Sequence, residues 1–281
     1  MQTALKTAPL PDHSAALARR IRAQALRMVT AAKASHIGSA LSIADLVAVL
    51  YGGALRVDPA HPAWADRDRF ILSKGHACVA LYAALAESGF FDRRHLETYG
   101  AEGSMLMAHI SHKVPGVEFS TGALGHGLPF GVGKALAAKR TARSWRTVVL
   151  TSDGEWDEGS NWEAAMFASH HRLDNLVCVV DYNKLQSLGS VEQTLNLEPF
   201  HSKFAAFGWS VREADGHDHA ALATLLARGP WEEGKPSVLI AHTTKGKGVS
   251  FMEGAVEWHY RNPTAELLAQ ALAELGEPAH A

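Results

Sequence analysis

Short apolar runs of strand length alternate along the chain with longer stretches that have helical character. Five runs rich in branched aliphatic residues are typical of strands buried on both faces of a sheet, at 69–72, 147–151, 176–181, 209–213 and 237–243. Helical spacing or high alanine content predicts helices at 13–33, 77–88, 158–171, 217–228 and 263–275, with a further helix ending near Arg140. This alternation predicts an α/β fold with a mostly parallel sheet and helices on both faces.

Two helical segments carry more specific predictions. Ser42 is placed to cap the amino terminus of a helix in which Asp45 would be the third residue. In segment 158–171, the i, i+3, i+4, i+7 spacing predicts that the inward face is formed by Trp162, Ala165, Met166 and Ser169. Segment 244–260 is a long loop with little apolar periodicity, and loops of that length in a compact domain are usually functional or mobile.

The composition fits an ordinary globular domain. The 281 residues are 47% hydrophobic and 20% charged, and no repeat or low-complexity linker divides them. We therefore expect a single domain over residues 1–281. The formal charge of −2 gives no electrostatic footprint for nucleic acid or for an acidic membrane surface, and Lys245 and Lys247 form only a short local basic patch.

Cysteine usage and the absence of targeting patterns bear on location. Cys78 and Cys178 lie in apolar surroundings and are too few for a disulfide framework, which favours a reducing cytosol. Residues 1–12 lack the pattern of a cleaved signal peptide, and no apolar run approaches the roughly 18 residues needed to span a bilayer. We expect a cytoplasmic protein with neither nucleic acid nor a membrane as its partner.

Polar side chains follow two successive predicted strands. Asp153 and Gly154 come directly after the strand at 147–151, and Asn183 follows the strand at 176–181. A right-handed crossover brings the carboxyl ends of such strands to one edge of a parallel sheet. Carboxylate and amide oxygens suit Mg²⁺, which usually binds phosphate oxygens as well, and Gly154 would let a phosphate approach the backbone. The alternative is an ordinary polar crossover loop.

Other motifs point to competing interpretations. Residues 121–127, TGALGHG, precede a helix and form a candidate anion-binding turn. The glycines within 125–133 could belong to a dinucleotide fingerprint or to close helix packing, but the GxGxxG spacing and its distant acidic residue are not met well. The HxxH pair at 109–112 and the HxH pair at 217–219 have spacing found in zinc sites, without a third or fourth ligand. No GxSxG nucleophile motif occurs.

Taken in order, these stretches resemble the amino-terminal, pyrophosphate-binding half of transketolase over about residues 15–260. The resemblance is carried by SHIG at 35–38, DRFILSKGHA at 68–77, His109 ahead of PGVE at 115–118, TGALGHG at 121–127, and DG at 153–154 with Asn183. The last of these is similar to the GDG…N signature of thiamine diphosphate enzymes. Two positions depart from the pattern: Ser152 replaces the usual first glycine, and His126 stands where glutamine is common.

The resemblance implies the thiamine diphosphate-binding fold, with thiamine diphosphate and Mg²⁺ as cofactors. It implies metal ligation by Asp153, Asn183 and the backbone carbonyl of Leu185. Contacts to the cofactor are implied for those two side chains and for His76, Gly122, Leu124, Gly154, Glu158 and His259. Catalytic, proton-handling roles are implied for His36, His76, His109 and His259.

The length of the chain implies a partner. Full-length transketolases continue into a pyrimidine-binding domain and a carboxy-terminal domain, whereas this sequence stops near residue 281. The resemblance therefore implies half of a split transketolase, which transfers a two-carbon ketol unit from a ketose or sugar phosphate to an aldehyde and assembles as α₂β₂ with a subunit carrying both missing domains. Two alternatives stay open: a thiamine diphosphate-binding subunit of a 2-oxoacid dehydrogenase or synthase, and a non-catalytic regulatory subunit.

Overall fold

Five parallel strands form one sheet in the computed structural model, which describes residues 11–227 and 229–278. The strands are β1 (Arg69–Leu72), β2 (Thr147–Ser152), β3 (Leu176–Tyr182), β4 (Ser210–Asp215) and β5 (Ser237–His242). Their order across the sheet is β1-β2-β3-β5-β4, and every neighbouring pair is parallel. All five predicted strands are confirmed, with ends that move by one or two residues.

Ten α-helices connect these strands within the described ranges. They are α1 (Pro11–Ala32), α2 (Ile37–Ser42), α3 (Ala44–Val49), α4 (Cys78–Glu87), α5 (Gly127–Arg140), α6 (Gly159–His170), α7 (Val191–Thr194), α8 (Phe200–Ala206), α9 (His219–Leu225) and α10 (Ala265–Glu274). Short 3₁₀ turns lie at Gly75–Ala77, Arg93–Thr98, Gly154–Asp157 and Val256–His259, and a π-helical turn lies at Leu50–Ala54. Arg228 and residues 1–10 lie outside the described residues, so the predicted end of the helix at 217–228 and most of the amino terminus are not compared.

Both faces of the sheet are covered by helices, as the sequence predicts. Successive side chains of a strand point to opposite faces, and β3 divides its apolar residues accordingly. Val177 and Val179 pack into a core with α1 to α4, whereas Cys178 and Val180 pack into a second core with α5, α6 and α8. A strand buried on both faces needs apolar residues throughout, which explains the unbroken apolar run.

Close packing of α5 on β2 explains part of the glycine series. A Cβ added at Gly131 would lie 2.4 Å from Cγ2 of Val149, so no other residue fits without moving the helix. Gly133 on the same helix would meet nothing within 4 Å. Of the two interpretations of this series, helix packing therefore describes Gly131. None of the helices in the described ranges combines the length and apolar character that crossing a bilayer requires.

The predicted cap at Ser42 is wrong. Ser42 is the last residue of α2, and α3 begins at Ala44 after Ile43, without a side-chain cap. The Ser42 hydroxyl instead donates to a carboxylate oxygen of Asp181 at 2.7 Å, inside the protein. A hydrogen bond to a buried carboxylate is stronger than a bond to a neutral backbone amide, and this distant partner is invisible to local pattern analysis.

The predicted inward face of α6 is also wrong in part. The residues of α6 that are buried are Asn161, Ala164, Ala165 and Ala168. Met166 is 50% exposed, and only Ala165 of the predicted set is fully buried. The alanines let α6 pack closely against α5, so the helix turns its small residues inward and its methionine outward. Amphipathic periodicity weights large apolar residues, and it misplaced the face for that reason.

Candidate functional site

Four histidines from four separate segments of the chain converge at the carboxyl edge of the sheet. The ring centroid of His36 lies 5.0 Å from that of His76, 5.0 Å from that of His259 and 6.0 Å from that of His109. The rings of His76 and His259 are 5.7 Å apart. The fold thus brings together all four histidines that the sequence singled out, which we call the histidine cluster.

Backbone geometry fixes the central member of the cluster. His36 precedes α2 in the left-handed conformation, with φ of 74°, which few residues other than glycine adopt readily. Its backbone N–H donates to the carbonyl of His259 at 2.8 Å. This bond joins the start of α2 to the end of the loop at 244–260, so the two rings face each other across a fixed backbone contact.

The surroundings of the cluster keep its imidazoles neutral. Burial, followed by the nearby His109 and Lys245, lowers the pKa of His36 from 6.5 to about 4. Burial, then Lys245 and His36, lowers the pKa of His259 from 6.5 to about 3. Burial and the Lys74 charge also hold the pKa of His76 well below 6.5. A neutral imidazole can both donate and accept a proton, so near pH 7 these rings suit proton transfer to and from hydroxyl groups.

The predicted metal edge is formed by the segments that follow β2 and β3. Ser152 of β2 pairs with Asp181 of β3, so the residues that follow these two positions emerge side by side. The Asp153 carboxylate accepts from the backbone N–H of Gly154 at 2.7 Å and of Lys184 at 2.6 Å. The Asn183 amide oxygen accepts from Leu185 N–H at 3.1 Å.

The Asn183 amide nitrogen donates to Asp181 at 2.8 Å. This bond fixes the amide so that its oxygen, the atom a cation would use, points away from Asp181 toward the outer side of the edge. Oxygen atoms of carboxylate, amide and carbonyl type therefore gather at one place, where the sequence predicted them, and their role as metal ligands stays a prediction.

Buried charges beneath this edge were not predicted from the sequence. The Lys74 ammonium and the Asp181 carboxylate are both fully buried and 2.5 Å apart. Burial, then the adjacent Asp181 charge, raises the pKa of Asp153 from 3.8 to about 7. A buried carboxylate in that situation is stabilised by an added cation, because a cation offsets both its desolvation and its repulsion from Asp181.

Lys245 connects the histidine cluster to the metal edge. Its side chain is buried, which corrects the expectation of a surface basic patch. The ammonium lies 3.1 Å from the Leu185 carbonyl, 2.9 Å from the Gln186 carbonyl and 3.1 Å from Nδ1 of His259. Burial, then the Lys74 charge, lowers its pKa from 10.5 to about 8. A buried cation beside these oxygens offers a second positive charge for an anionic ligand.

Glu155 ties three turns together beneath the site, and the sequence analysis missed it. Its buried carboxylate accepts from the Ser73 hydroxyl, from Gly125 N–H at 2.9 Å and from Ser152 N–H at 3.3 Å. Burial is the main cause that raises the pKa of Glu155. The turns before α4, before α5 and after β2 are thus fixed to one another.

The remaining predicted cofactor contacts surround the same space. Gly122 is exposed, and a Cβ there would lie 3.5 Å from the ring of His109. Leu124 and Gly154 are half-buried. Glu158 is exposed directly before α6, and Gly125, with φ of 79°, lies so close that an added Cβ would come within 2.7 Å of it. The turn at 121–127 therefore meets both the histidine cluster and the start of α6.

The histidine pairs with zinc-like spacing have other partners. His112 Nδ1 lies 2.7 Å from the Ser120 hydroxyl. His217 and His219 both bind the buried carboxylate of Asp45, at 2.6 and 3.1 Å. In residues 11–227 and 229–278, no group of three or more histidine, cysteine, aspartate or glutamate side chains is arranged to hold a metal ion.

Comparison with known proteins gives the family. Residues 13–280 match the family described as transketolase, thiamine diphosphate binding domain. One of the two subunits that make up the apulose-4-phosphate transketolase of Phocaeicola vulgatus is 44% identical over 256 residues, which cover 91% of this chain and 91% of that protein. The 6-deoxy-6-sulfo-D-fructose transketolase subunit SqwG from a Clostridium species is 42% identical over 241 residues, covering 85% and 88% of the two chains.

Solved structures agree with these relatives. The transketolase from Leishmania mexicana superposes with a TM-score of 0.90 at 31% identity, and the match covers 95% of this chain but only 42% of that one. The transketolase from Campylobacter jejuni gives a TM-score of 0.88 at 31% identity, with 96% and 43% covered. The chain spans less than half the length of either enzyme. It belongs to the transketolase family and corresponds to that family's thiamine diphosphate-binding domain.

Proposed function

We propose that this chain, as one domain over residues 1–281, is the cofactor-binding subunit of a split transketolase. The assembly would transfer a two-carbon ketol unit from a ketose to an aldehyde. The observation that carries the proposal is the convergence of four histidines, at least three of them with lowered pKa values, beside an edge of gathered oxygen atoms. Relatives named as transketolase subunits align over almost their whole length, which supports a separate subunit.

The metal edge fits a divalent cation that carries a diphosphate. Asp153, Asn183 and the carbonyl of Leu185 would hold Mg²⁺, a hard cation that prefers such oxygen ligands and keeps phosphate oxygens in its remaining positions. The raised pKa of Asp153 supports this fit, because the buried carboxylate lacks a compensating cation of its own. Lys245 and the backbone at Gly154 would contact the diphosphate, and Gly122 and Leu124 the rest of the cofactor.

The chemistry divides between cofactor and chain. Thiamine diphosphate, when bound, supplies the carbon nucleophile and the electron sink for breaking and forming the carbon–carbon bond. His36 and His259 would take and return the protons of the ketose hydroxyls, because their neutral rings face one another at 5.0 Å. His76 would lie between substrate and diphosphate, and the exposed His109 would bind the terminal hydroxyl of the donor.

A partner subunit would complete the site. We propose that it carries the pyrimidine-binding and carboxy-terminal domains that longer transketolases have in the same chain, in an α₂β₂ assembly. Large exposed apolar side chains support a partner surface on this chain, since few soluble monomers leave so many uncovered: Met107, Met166, Phe167, Leu188, Leu195 and Tyr260. Glu158 beside α6 would then lie at the boundary between the two subunits.

The substrate class follows from the relatives. One is named for a sugar phosphate and another for a sulfonated sugar, and we propose that the donor here is also a ketose with an anionic terminal group. A cytoplasmic location is proposed on the same terms, and the two fully buried cysteine thiols are consistent with it.

Reconstitution tests the proposal. The purified chain is incubated with ketose donor, aldehyde acceptor, Mg²⁺ and thiamine diphosphate, with and without the candidate partner encoded beside it. Turnover that requires the partner is the expected result. Turnover by the chain alone would contradict the split enzyme, and turnover of pyruvate in place of the ketoses would assign the chain to the 2-oxoacid class.

A further inference from the structure

The pair of histidines at 217 and 219 lies outside the proposed reaction, yet it belongs to a buried and densely bonded polar cluster. Both rings bind the carboxylate of Asp45 on α3, which is 4% exposed. Arg22 of α1 binds the same carboxylate through two nitrogens, at 2.6 and 3.0 Å. We call these four residues the Asp45 cluster.

The hydrogen bonds of His217 define its tautomer. Its Nδ1 lies 2.6 Å from Asp45 Oδ2, and an ionised carboxylate only accepts, so Nδ1 carries the proton. Its Nε2 accepts from the backbone N–H of Thr244 at 2.9 Å. Burial alone would raise the pKa of Asp45, but hydrogen bonds from His217 and His219 and the charge of Arg22 hold that pKa well below its usual range. The carboxylate therefore stays ionised and keeps Nε2 of His217 as an acceptor.

The two histidines differ in what they hold on their far side. The second ring nitrogen of His219 lies 2.8 Å from the hydroxyl of Ser14 on α1, within the helical layer. That of His217 binds Thr244, the residue before Lys245. Of the two, it is His217 that links the Asp45 cluster to the loop at 244–260, which bears two members of the candidate site.

The backbone at Thr244 controls where Lys245 and His259 lie. Gly246 N–H donates to the Gly38 carbonyl at 3.0 Å, and Gly254 N–H donates to the Lys245 carbonyl at 2.9 Å. The ammonium of Lys245 then reaches the carbonyls of Leu185 and Gln186 and the ring of His259. Thr244 is the point at which the chain leaves β5 and enters this bonded segment, so a shift there moves the Lys245 side chain.

We infer that His217 is a positioning residue: held by Asp45, it fixes Thr244 and through it sets Lys245, and with it His259, in the cofactor site. The inference rests on the proposed function for the meaning of that site. His217 touches neither the cofactor nor the substrate in this account. It acts at a distance, through one backbone hydrogen bond whose acceptor is kept in place by a buried ion pair.

Two substitutions separate the two bonds of His217. In His217→Asn, the amide nitrogen can replace Nδ1 toward Asp45, but nothing remains to accept from Thr244. In His217→Gln, the longer side chain places its carbonyl near the position of Nε2, so the bond to Thr244 is restored. The matched control is His219→Gln, which keeps a donor to Asp45 and has no contact with the loop.

Hydrogen exchange of the Thr244 amide and calorimetric binding of thiamine diphosphate with Mg²⁺ are measured on the reconstituted complex, together with its thermal midpoint. We expect His217→Asn to lose protection of Thr244 and to bind the cofactor about five- to tenfold more weakly, the usual effect of one hydrogen bond. His217→Gln should recover most of that loss. His219→Gln should lower the thermal midpoint without changing cofactor affinity.

The outcomes distinguish this inference from the proposed function. Equal cofactor affinity in His217→Asn and in the unaltered complex would overturn it, as would equal losses in His217→Asn and His219→Gln, which would make both effects merely structural. If the unaltered complex binds no thiamine diphosphate, the proposed function fails. The exchange rate of Thr244 then still decides whether His217 anchors the loop, and unchanged exchange in His217→Asn refutes it.

Discussion

The histidine cluster and the Asp45 cluster place the same side chain in opposite electrostatic settings. Within the described residues, no carboxylate hydrogen-bonds to the rings of His36, His76 or His259, and the charges that act on them are positive. In the Asp45 cluster, two rings share one buried carboxylate with a guanidinium. Burial without an anion leaves an imidazole neutral and able to exchange protons, whereas burial against an anion fixes its tautomer and makes it a structural support.

Function and stability should therefore respond differently in the two clusters. We expect His36→Asn to reduce turnover of the reconstituted enzyme by about 10²- to 10⁴-fold, the usual contribution of a positioned proton-transfer group. Asparagine is chosen because it tolerates the left-handed backbone that His36 adopts, so the unfolding free energy should change by about 1 kcal/mol or less. Steady-state kinetics and urea unfolding are measured on the same preparation. His95→Asn, at an exposed site, is the control, and an equal loss of turnover there would remove the distinction.

The Asp45 cluster should give the largest loss of stability. Asp45→Ala leaves the Arg22 guanidinium buried without its ion pair, and we expect a loss of about 3–5 kcal/mol in the free energy of unfolding. Chemical denaturation monitored by circular dichroism measures it. Asp66→Ala is the control, because Asp66 pairs with Arg143 at the surface, where an ion pair contributes about 0–1 kcal/mol. Similar losses in the two variants would show that the buried pair has no special weight.

The pH dependence of stability should separate the clusters by window. The pKa of His36 falls from 6.5 in the unfolded chain to about 4 in the folded chain, so the unfolded state binds more protons between these values. Stability from His36 is thus fully present above pH 6.5 and is lost as the pH falls toward 4. The ionised Asp45, with its lowered pKa, instead contributes stability that is lost only below 3.8.

Two measurements check these windows. NMR titration of the histidine ring protons should place the midpoint of His36 near 4 and that of His259 near 3. Thermal midpoints between pH 4 and 6.5 should fall less steeply in His36→Asn than in the unaltered chain. A midpoint for His36 near its usual value of 6.5 would contradict the neutral cluster.

Ser152, outside both clusters, should have the smallest effect. Its hydroxyl accepts from the backbone N–H of Glu155 at 3.2 Å, and glycine would lose that bond and gain backbone freedom. We expect Ser152→Gly to change the free energy of unfolding by about 1 kcal/mol or less and the affinity for thiamine diphosphate by about twofold or less. Calorimetry on the reconstituted complex measures the affinity. A tenfold loss would show that the serine hydroxyl supports the turn at Asp153.

Local patterns were sufficient for the fold and for bringing the predicted site together. The unbroken apolar runs located all five strands, because a strand buried on both faces has few alternatives. Helix ends and faces were harder: α6 turns its alanines inward, and Ser42 binds Asp181, 139 residues away, instead of capping α3. Motif order placed the four histidines in one site, although their roles in it stay proposals.

The charges beneath the site could not be predicted, since each depends on a partner distant in sequence. Lys74 meets Asp181, 107 residues further on, and Lys245 meets the Gln186 carbonyl, 59 residues back. By composition both lysines belong on the surface, and only tertiary structure supplies the acceptors that allow their burial. For Lys74 a weak signal existed, because it directly follows a buried strand and its short polar turn.

The central claim is that Asp153 and Asn183 hold a metal ion that binds the diphosphate of the cofactor. Its most direct test is calorimetric titration of the reconstituted complex with thiamine diphosphate, with and without Mg²⁺, for the unaltered chain and for Asp153→Ala. The account predicts binding that requires Mg²⁺ and is abolished by the substitution. Unchanged affinity in Asp153→Ala, or tight binding without a divalent cation, would contradict it.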